Sequence, residues 1–144
     1  MNGRAEAFPA FRFVVQIDGV AEAYFTECTL PNLEVEVEEE KEGGFNQGVH
    51  LLPGRVKRGT ITLKRGLAPS SALLSWYLEV MQGQVSKAKR QVSVMLYDSL
   101  GEPIARWDLI GAFPSKWSGP ALGTAKNEIA IETLELVFES VNVT

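Results

Sequence analysis

The sequence predicts a mainly β domain of the α+β class: a two-sheet β-barrel or sandwich with one flanking α-helix and a long extended hairpin. Three observations predict it. Apolar and polar residues alternate with a two-residue period in about seven separate stretches, the pattern of strands with one buried face. One stretch alone, around Leu73 to Met81, carries a helical period. Two neighbouring alternating stretches carry opposite charge, Leu33 to Glu42 being acidic and Arg55 to Gly66 basic.

Residues 1–10 read as a short arm ending near Pro9, and 11–144 as the single domain. Phe11 to Asp18 alternates and reads as the first strand. Asp18-Gly19 is a turn signal, so the next strand, Ala21 to Cys28, is expected to pair antiparallel with the first. Pro31 interrupts that pairing. Strands over 33–42 and 55–65 follow, joined by a Gly/Pro-rich connection from Gly43 to Gly54. Together they form the extended hairpin.

Pro69-Ser70-Ser71 marks a helix start. Leu74, Tyr77, Leu78 and Met81 recur at i, i+3, i+4 and i+7 and are expected to form the buried face, widened by Leu73 and Val80. Gly83 is the stop, and Gln84 to Lys89 a polar connection. Arg90 to Tyr97 and Ile104 to Ile110 read as strands about the turn Asp98 to Pro103. Phe113 to Gly123, with Pro114, Trp117, Gly119 and Pro120, reads as a loop. The last strand, Glu128 to Glu139, changes apolar phase between Ile131 and Leu134, which predicts a bulge or a change of buried face near Glu132.

With 144 residues, 45% of them hydrophobic and 22% charged, the chain is long enough for one domain with a real core. Its net charge of −4 lacks the basic excess of nucleic-acid binders. The distribution says more than the sum. Six of the 18 acids lie between Glu34 and Glu42, and five of the 14 bases between Arg55 and Arg65. Such local fields can orient subunits or partners. One cysteine, Cys28, forbids an internal disulfide. The first residues lack the apolar core of a secretory signal. No apolar stretch reaches the roughly 20 residues needed to span a bilayer.

Chemistry is sparse. His50 is the sole histidine, and no Ser, Cys or Asp is spaced to complete a triad with it. Cys28 has no neighbouring base to activate it, and one His with one Cys cannot assemble a usual zinc site. Alternation sends Glu34, Glu36, Glu38 and Glu40 to one face of an extended strand. That suits a solvated or channel-facing stripe better than a calcium loop, which wraps its oxygens around a sharp turn. The basic stretch from Arg55 to Arg58 could bind phosphate or an acidic protein surface, or simply face the glutamates across the hairpin, where each opposite pair gives roughly 0.2–1 kcal/mol. Trp76, Trp107 and Trp117 are too scattered for a base-stacking platform and suit core or subunit contacts. No catalytic residues, cofactor or metal are expected.

The order of several pieces is informative. Phe13 to Val20 is followed by Phe25-Thr26-Glu27-Cys28, Val35-Glu36-Val37, Glu42-Gly43-Gly44 and Leu52-Pro53-Gly54. Gly59 to Gly66, Trp76, Trp107, Ala112 to Pro120 and Asn127 to Leu136 complete the series. This series resembles the inner tube proteins of contractile injection systems and the tail tube proteins of contractile-tailed phages, over nearly the whole chain. The resemblance implies hexameric rings stacked into a hollow tube inside a contractile sheath. Implied partners are further copies of the chain, the sheath protein, baseplate and spike proteins, and cargo in the lumen. It also implies assembly in the bacterial cytoplasm and a final place in a phage-tail-like particle. Many relatives carry an aromatic residue in place of Glu40 and a His in place of Phe138. These departures leave open a specialised initiator or baseplate adaptor of the same fold.

On the tube reading, alternation makes Glu34, Glu36, Glu38, Thr60, Thr62 and Lys64 candidates for the lumen face. Phe45, His50, Arg55, Lys57, Arg58 and Trp117 become candidates for ring stacking or subunit contact. A rival of another class is a small-ligand β-barrel, which would need a closed apolar cavity.

Overall fold

The computed structural model describes residues 12–18, 20, 25–40, 50–67, 71–120, 122–123 and 130–144. Their strands are β1 (Arg12–Ile17), β2 (Glu27–Thr29), β3 (Glu34–Glu40), β4 (His50–Lys57) and β5 (Ile61–Gly66). Two helices follow, α1 (Ala72–Met81) and the single-turn α2 (Val85–Ala88). The chain then forms β6 (Arg90–Tyr97), β7 (Pro103–Ser118), β8 (Ile131–Val137) and β9 (Ser140–Val143). The arm expected over 1–10 lies outside the described residues.

All strand pairs are antiparallel. The main sheet runs β1-β6-β7-β8-β5-β2, with β9 also on β7. Among the described residues its path has two ends, so these strands do not close into a barrel, and the arrangement agrees with the sandwich form of the expectation. The first half of β7 pairs with β6 and β9, the second half with β8. The 16-residue β7 thus belongs to both halves of the sheet. The turnover lies at Gly111, whose φ of 66° is left-handed. There Arg90 faces Ala112 while Val92 faces Leu109, so β7 carries an extra residue. Such a bulge bends a strand from one sheet layer into another.

The expected loop over Phe113–Gly123 is therefore strand as far as Ser118. Pro114 misled the reading: it sits buried at a second register shift, between Pro114 and Lys116, where a missing N–H is tolerated. The expected pairing of the first two strands is also corrected over its described part: β1 pairs with β6, and β2 with β5. Residues 21–24 of the expected second strand lie outside the described residues. The basic strand expected over 55–65 is two strands. It breaks at Gly59, with φ 66°, where any Cβ would come within 2.5 Å of the Asn32 carbonyl oxygen. β4 stays in the hairpin and β5 enters the main sheet.

The core is one cluster between the two halves of the sheet. Val15, Ile17, Val92, Val94 and Leu109 come from one half, and Ile61, Leu63, Leu134 and Leu136 from the other. Leu73 and Trp76 enter it from α1, and the Trp76 indole N–H donates to the Ala88 carbonyl at 2.6 Å. This corrects the helix face. Leu73 and Trp76 are buried, whereas Leu78 is 41% and Met81 66% exposed. Two apolar stripes run along α1, and the one carrying the large indole is buried. The bulge expected near Glu132 is absent too. β5 and β8 stay in continuous register from Gly66↔Ile131 to Ile61↔Leu136. The strand keeps its phase by exposing Ile131 and burying Glu132.

Candidate functional site

The hairpin β3–β4 is a two-stranded sheet apart from the body. Glu34 faces Lys57, Val35 faces Val56, Val37 faces Pro53 and Glu39 faces Leu51. Between Val35 and Val37 the register shifts, so Gly54 and Arg55 share the place opposite Glu36. Gly54 suits that place, because an added Cβ would lie 3.1 Å from the Glu38 side chain and 3.2 Å from the Glu36 carbonyl. The pairing gives the ribbon two unlike faces. One carries Glu34, Glu36 and Glu38 with Lys57 and Leu52. The other carries Val35, Val37, Leu51, Pro53 and Val56, with Glu39 at its end beside Leu51.

Both faces are open. Val37 is 63%, Leu51 64% and Val56 54% exposed, and none of the hairpin's apolar side chains belongs to the core cluster. Large apolar side chains grouped on one exposed ribbon mark a surface made to be covered. On the opposite face Lys57 Nζ lies 3.4 Å from Glu36 Oε1, the expected cross-strand ion pair. Both partners are about half exposed, so the pair adds roughly 0.2–1 kcal/mol to the hairpin. Arg55 and Arg58 are exposed, the first on β4 and the second in the turn to β5. His50 is exposed at the start of β4, facing Glu40 in register. Phe45 lies outside the described residues.

Thr62 and Lys64 alternate on β5 with the buried Ile61 and Leu63, and so point away from the core. In register Thr62 lies between Thr29 and Glu135, and Lys64 between Glu27 and Thr133. Lys64 Nζ is 3.5 Å from Glu27 Oε2. This outer face of β2, β5 and β8 is consequently polar and mixed in charge. Thr60, partly exposed, leads into it. Glu34, Glu36 and Glu38 lie on the separate hairpin rather than on that face.

A polar node inside the body is invisible to periodicity. Glu132 is fully buried on β8. Its Oε1 accepts from the Ser71 hydroxyl at 2.7 Å and from the Trp117 indole N–H at 2.8 Å. Its Oε2 accepts from Arg65 Nε, also at 2.8 Å. Burial pushes its carboxyl up, but the bonds from Ser71, Trp117 and Arg65 and the guanidinium charge outweigh that and hold it below the ordinary range. Trp117 is half-buried and spends its N–H within its own chain. The one signal in the sequence was the broken apolar phase at Ile131 and Glu132.

Burial raises the Cys28 thiol to about 11, which leaves it protonated and unreactive at neutral pH. Among the described residues no group of three His, Cys, Asp or Glu could hold a metal ion. No helix among them is long and apolar enough to cross a membrane.

Residues 9–142 match the family model described as the T4-like virus tail tube protein gp19. Among solved structures, the chain is similar to one in the anti-feeding prophage cap that terminates the tube. That likeness has a TM-score of 0.82 and 25% identity over 100% of this chain and 95% of that one. A chain of the sheath/tube terminator of the PVC extracellular contractile injection system gives 0.81 and 24% over 97% and 98%. Hcp1 from Salmonella typhimurium gives 0.59 and 13% over 93% and 85%. No curated protein matches.

Proposed function

This chain belongs to the T4-like virus tail tube protein gp19 family, and from that premise we propose that it forms hexameric rings which stack into a hollow tube inside a contractile sheath. It is a structural tube subunit of a contractile injection system. Its role on this reading is mechanical, with no chemical step. The tube carries cargo in its lumen, starts on a baseplate and spike, and is driven forward when the sheath contracts. Assembly takes place in the bacterial cytoplasm before the particle reaches its working place. Solved likenesses include chains from a sheath-tube complex and from a baseplate, which supports sheath and baseplate partners for this chain.

One observation carries the reading. The hairpin exposes an apolar face that none of the described residues of its own subunit draws into the core cluster. Among the described residues β1 and β2 end the sheet path, and open edges there are a second liability of a monomer that a ring removes. The outer face of β2, β5 and β8 suits a water-filled lumen, with Thr60, Thr62 and Lys64 on or beside it. Glu34, Glu36 and Glu38 line the same channel from the hairpin. Phe45, His50, Arg55, Lys57 and Arg58 lie toward the next ring, Lys57 from the edge of the glutamate face where it pairs with Glu36, and opposite charges there set register and polarity. Trp117 contributes its partly exposed ring edge to a subunit contact.

Native mass spectrometry of the purified chain tests this. A six-fold multimer is expected. A monomer carrying a bound small molecule would instead favour the ligand-barrel reading, which the open sheet path already disfavours.

A second reading keeps the fold but places the chain in one specialised ring. The likenesses to a baseplate chain, with a TM-score of 0.74, and to a tube cap chain support it. An initiator or adaptor would form single rings that do not lengthen, whereas a main tube protein would form long tubes.

A further inference from the structure

We propose that the apolar face of the hairpin docks on the outer stripe of α1 in a second copy of this chain, a contact that rests on the tube reading above. Among the described residues, two groups of exposed apolar side chains matter for this contact. One is the hairpin face with Val35, Val37 and Val56. The other is the stripe Leu74, Leu78 and Met81, at i, i+4 and i+7 on α1, whose lower members are strongly exposed. Neither surface is covered by its own subunit among the described residues.

Their placement fits one another. The hairpin enters β5 at Ile61, and α1 begins beyond its other end, with Ser71 as N-cap five residues after Gly66. The two surfaces are therefore tied to opposite ends of one strand. A head-to-tail assembly needs two different surfaces on each copy, placed so that one copy's first meets the next copy's second. A single self-complementary patch would close into a dimer instead.

The chemistry agrees. Val35, Val37 and Val56 give a stiff, pleated surface of branched side chains. Leu78 and above all Met81 are adaptable and fill the irregular gaps such a surface leaves. The helix that presents them is held firmly. Trp76 anchors its inner face in the core, and the Ser71 cap is bonded to the buried Glu132. The outer stripe is thus in place before docking, which lowers the entropy lost on binding.

Cross-linking tests the contact in the full chain. The lone cysteine is removed by Cys28→Ser, and Val37→Cys and Leu78→Cys are introduced together. Each is also made singly as a control. Oxidation, or a short bismaleimide, should turn assembled double-cysteine protein into a covalent ladder that neither single-cysteine control gives. A second variant, Leu78→Asp with Met81→Asp, changes exposed positions only and should keep the parent's melting temperature while losing multimers.

Rings or tubes that form normally yet leave the double-cysteine protein as a single monomer band overturn the contact and leave the tube reading standing. So does normal assembly of the Leu78→Asp, Met81→Asp variant. A parent protein that forms no multimer overturns the tube reading and this contact with it.

Discussion

The Ser71 hydroxyl donates to the buried Glu132 carboxylate at 2.7 Å while accepting from the Leu74 backbone N–H at 3.1 Å. One oxygen thus caps α1 and ties that cap to β8. Glu132 gathers two further donors, from Arg65 on β5 and Trp117 on β7. The node joins both strands that neighbour or form the proposed lumen wall to the helix that carries the outer apolar stripe. It ties α1, β5, β7 and β8 together, so the proposed contact at α1 and the proposed lumen wall at β5 share one frame.

Removing that carboxylate should be costly. Glu132→Ala leaves Arg65, only 12% exposed, without its partner and strands the Trp117 N–H. Breaking a buried pair in this way costs about 3–5 kcal/mol. Ser71→Ala removes a cap and one bond of the node, and a lost cap alone costs about 0.5–2 kcal/mol. Urea denaturation should rank the two variants in that order. Equal midpoints would show that the node is not the strong joint described here.

Acid should release the same joint. The folded Glu132 titrates below its ordinary value of 4.5, so its contribution is complete above that value and is lost as pH falls through the lowered folded value. Asp108 acts in the same direction. The bond from the Ser93 hydroxyl, against the cost of burial and with help from Arg106, holds its carboxyl below 3.8. Glu132→Gln should therefore flatten the acid limb of the stability–pH profile below about pH 4.5 and leave the neutral region sloped as before. An unchanged acid limb in that variant would contradict the assignment.

Glycines at left-handed positions should differ by what surrounds them. Gly59→Ala puts a Cβ 2.5 Å from the Asn32 carbonyl oxygen, and Gly111→Ala puts one 2.7 Å from the Glu139 side chain. Gly101→Ala, with φ of 86°, meets nothing within 4 Å. All three incur about 1–2 kcal/mol for the left-handed backbone. The first should cost most, since a backbone oxygen cannot swing aside, and Gly101→Ala least. Thermal melts of the three variants give the ranking.

Charge reversal of Arg55, Lys57 and Arg58 together should impair stacking while sparing the fold. All three are exposed; losing the Lys57–Glu36 pair costs the hairpin at most about 1 kcal/mol, and the other two substitutions should stay within about 0.5 kcal/mol. Size-exclusion chromatography and a melting curve on the triple variant separate the two effects. Tubes of normal length would count against these residues as stacking contacts.

The strand pattern was legible because burial of one face writes a two-residue period, and β6 was read at its observed bounds, Arg90–Tyr97. Partners were less legible. Asp18-Gly19 suggested a hairpin, but pairing is decided by which strands share a core, and β1 went to β6. The helix was found and its face misassigned, because Leu74, Leu78 and Met81 are as apolar as Leu73 and Trp76. Periodicity reads burial on the assumption that apolar residues face inward. A chain built for assembly keeps a second apolar surface outside, and Ile131 and Glu132 invert the rule outright. Of the site, the acidic alternation and the Lys57–Glu36 pairing were readable, whereas the Glu132 node depends on donors from residues 65, 71 and 117 that only the fold brings together.

The central claim is that this subunit is built to be covered by copies of itself. Negative-stain electron microscopy of the purified chain, alone and supplied with its baseplate, tests that most directly. The account predicts six-fold rings with a hollow centre, stacked into tubes. Dispersed monomers under both conditions at high protein concentration would contradict it.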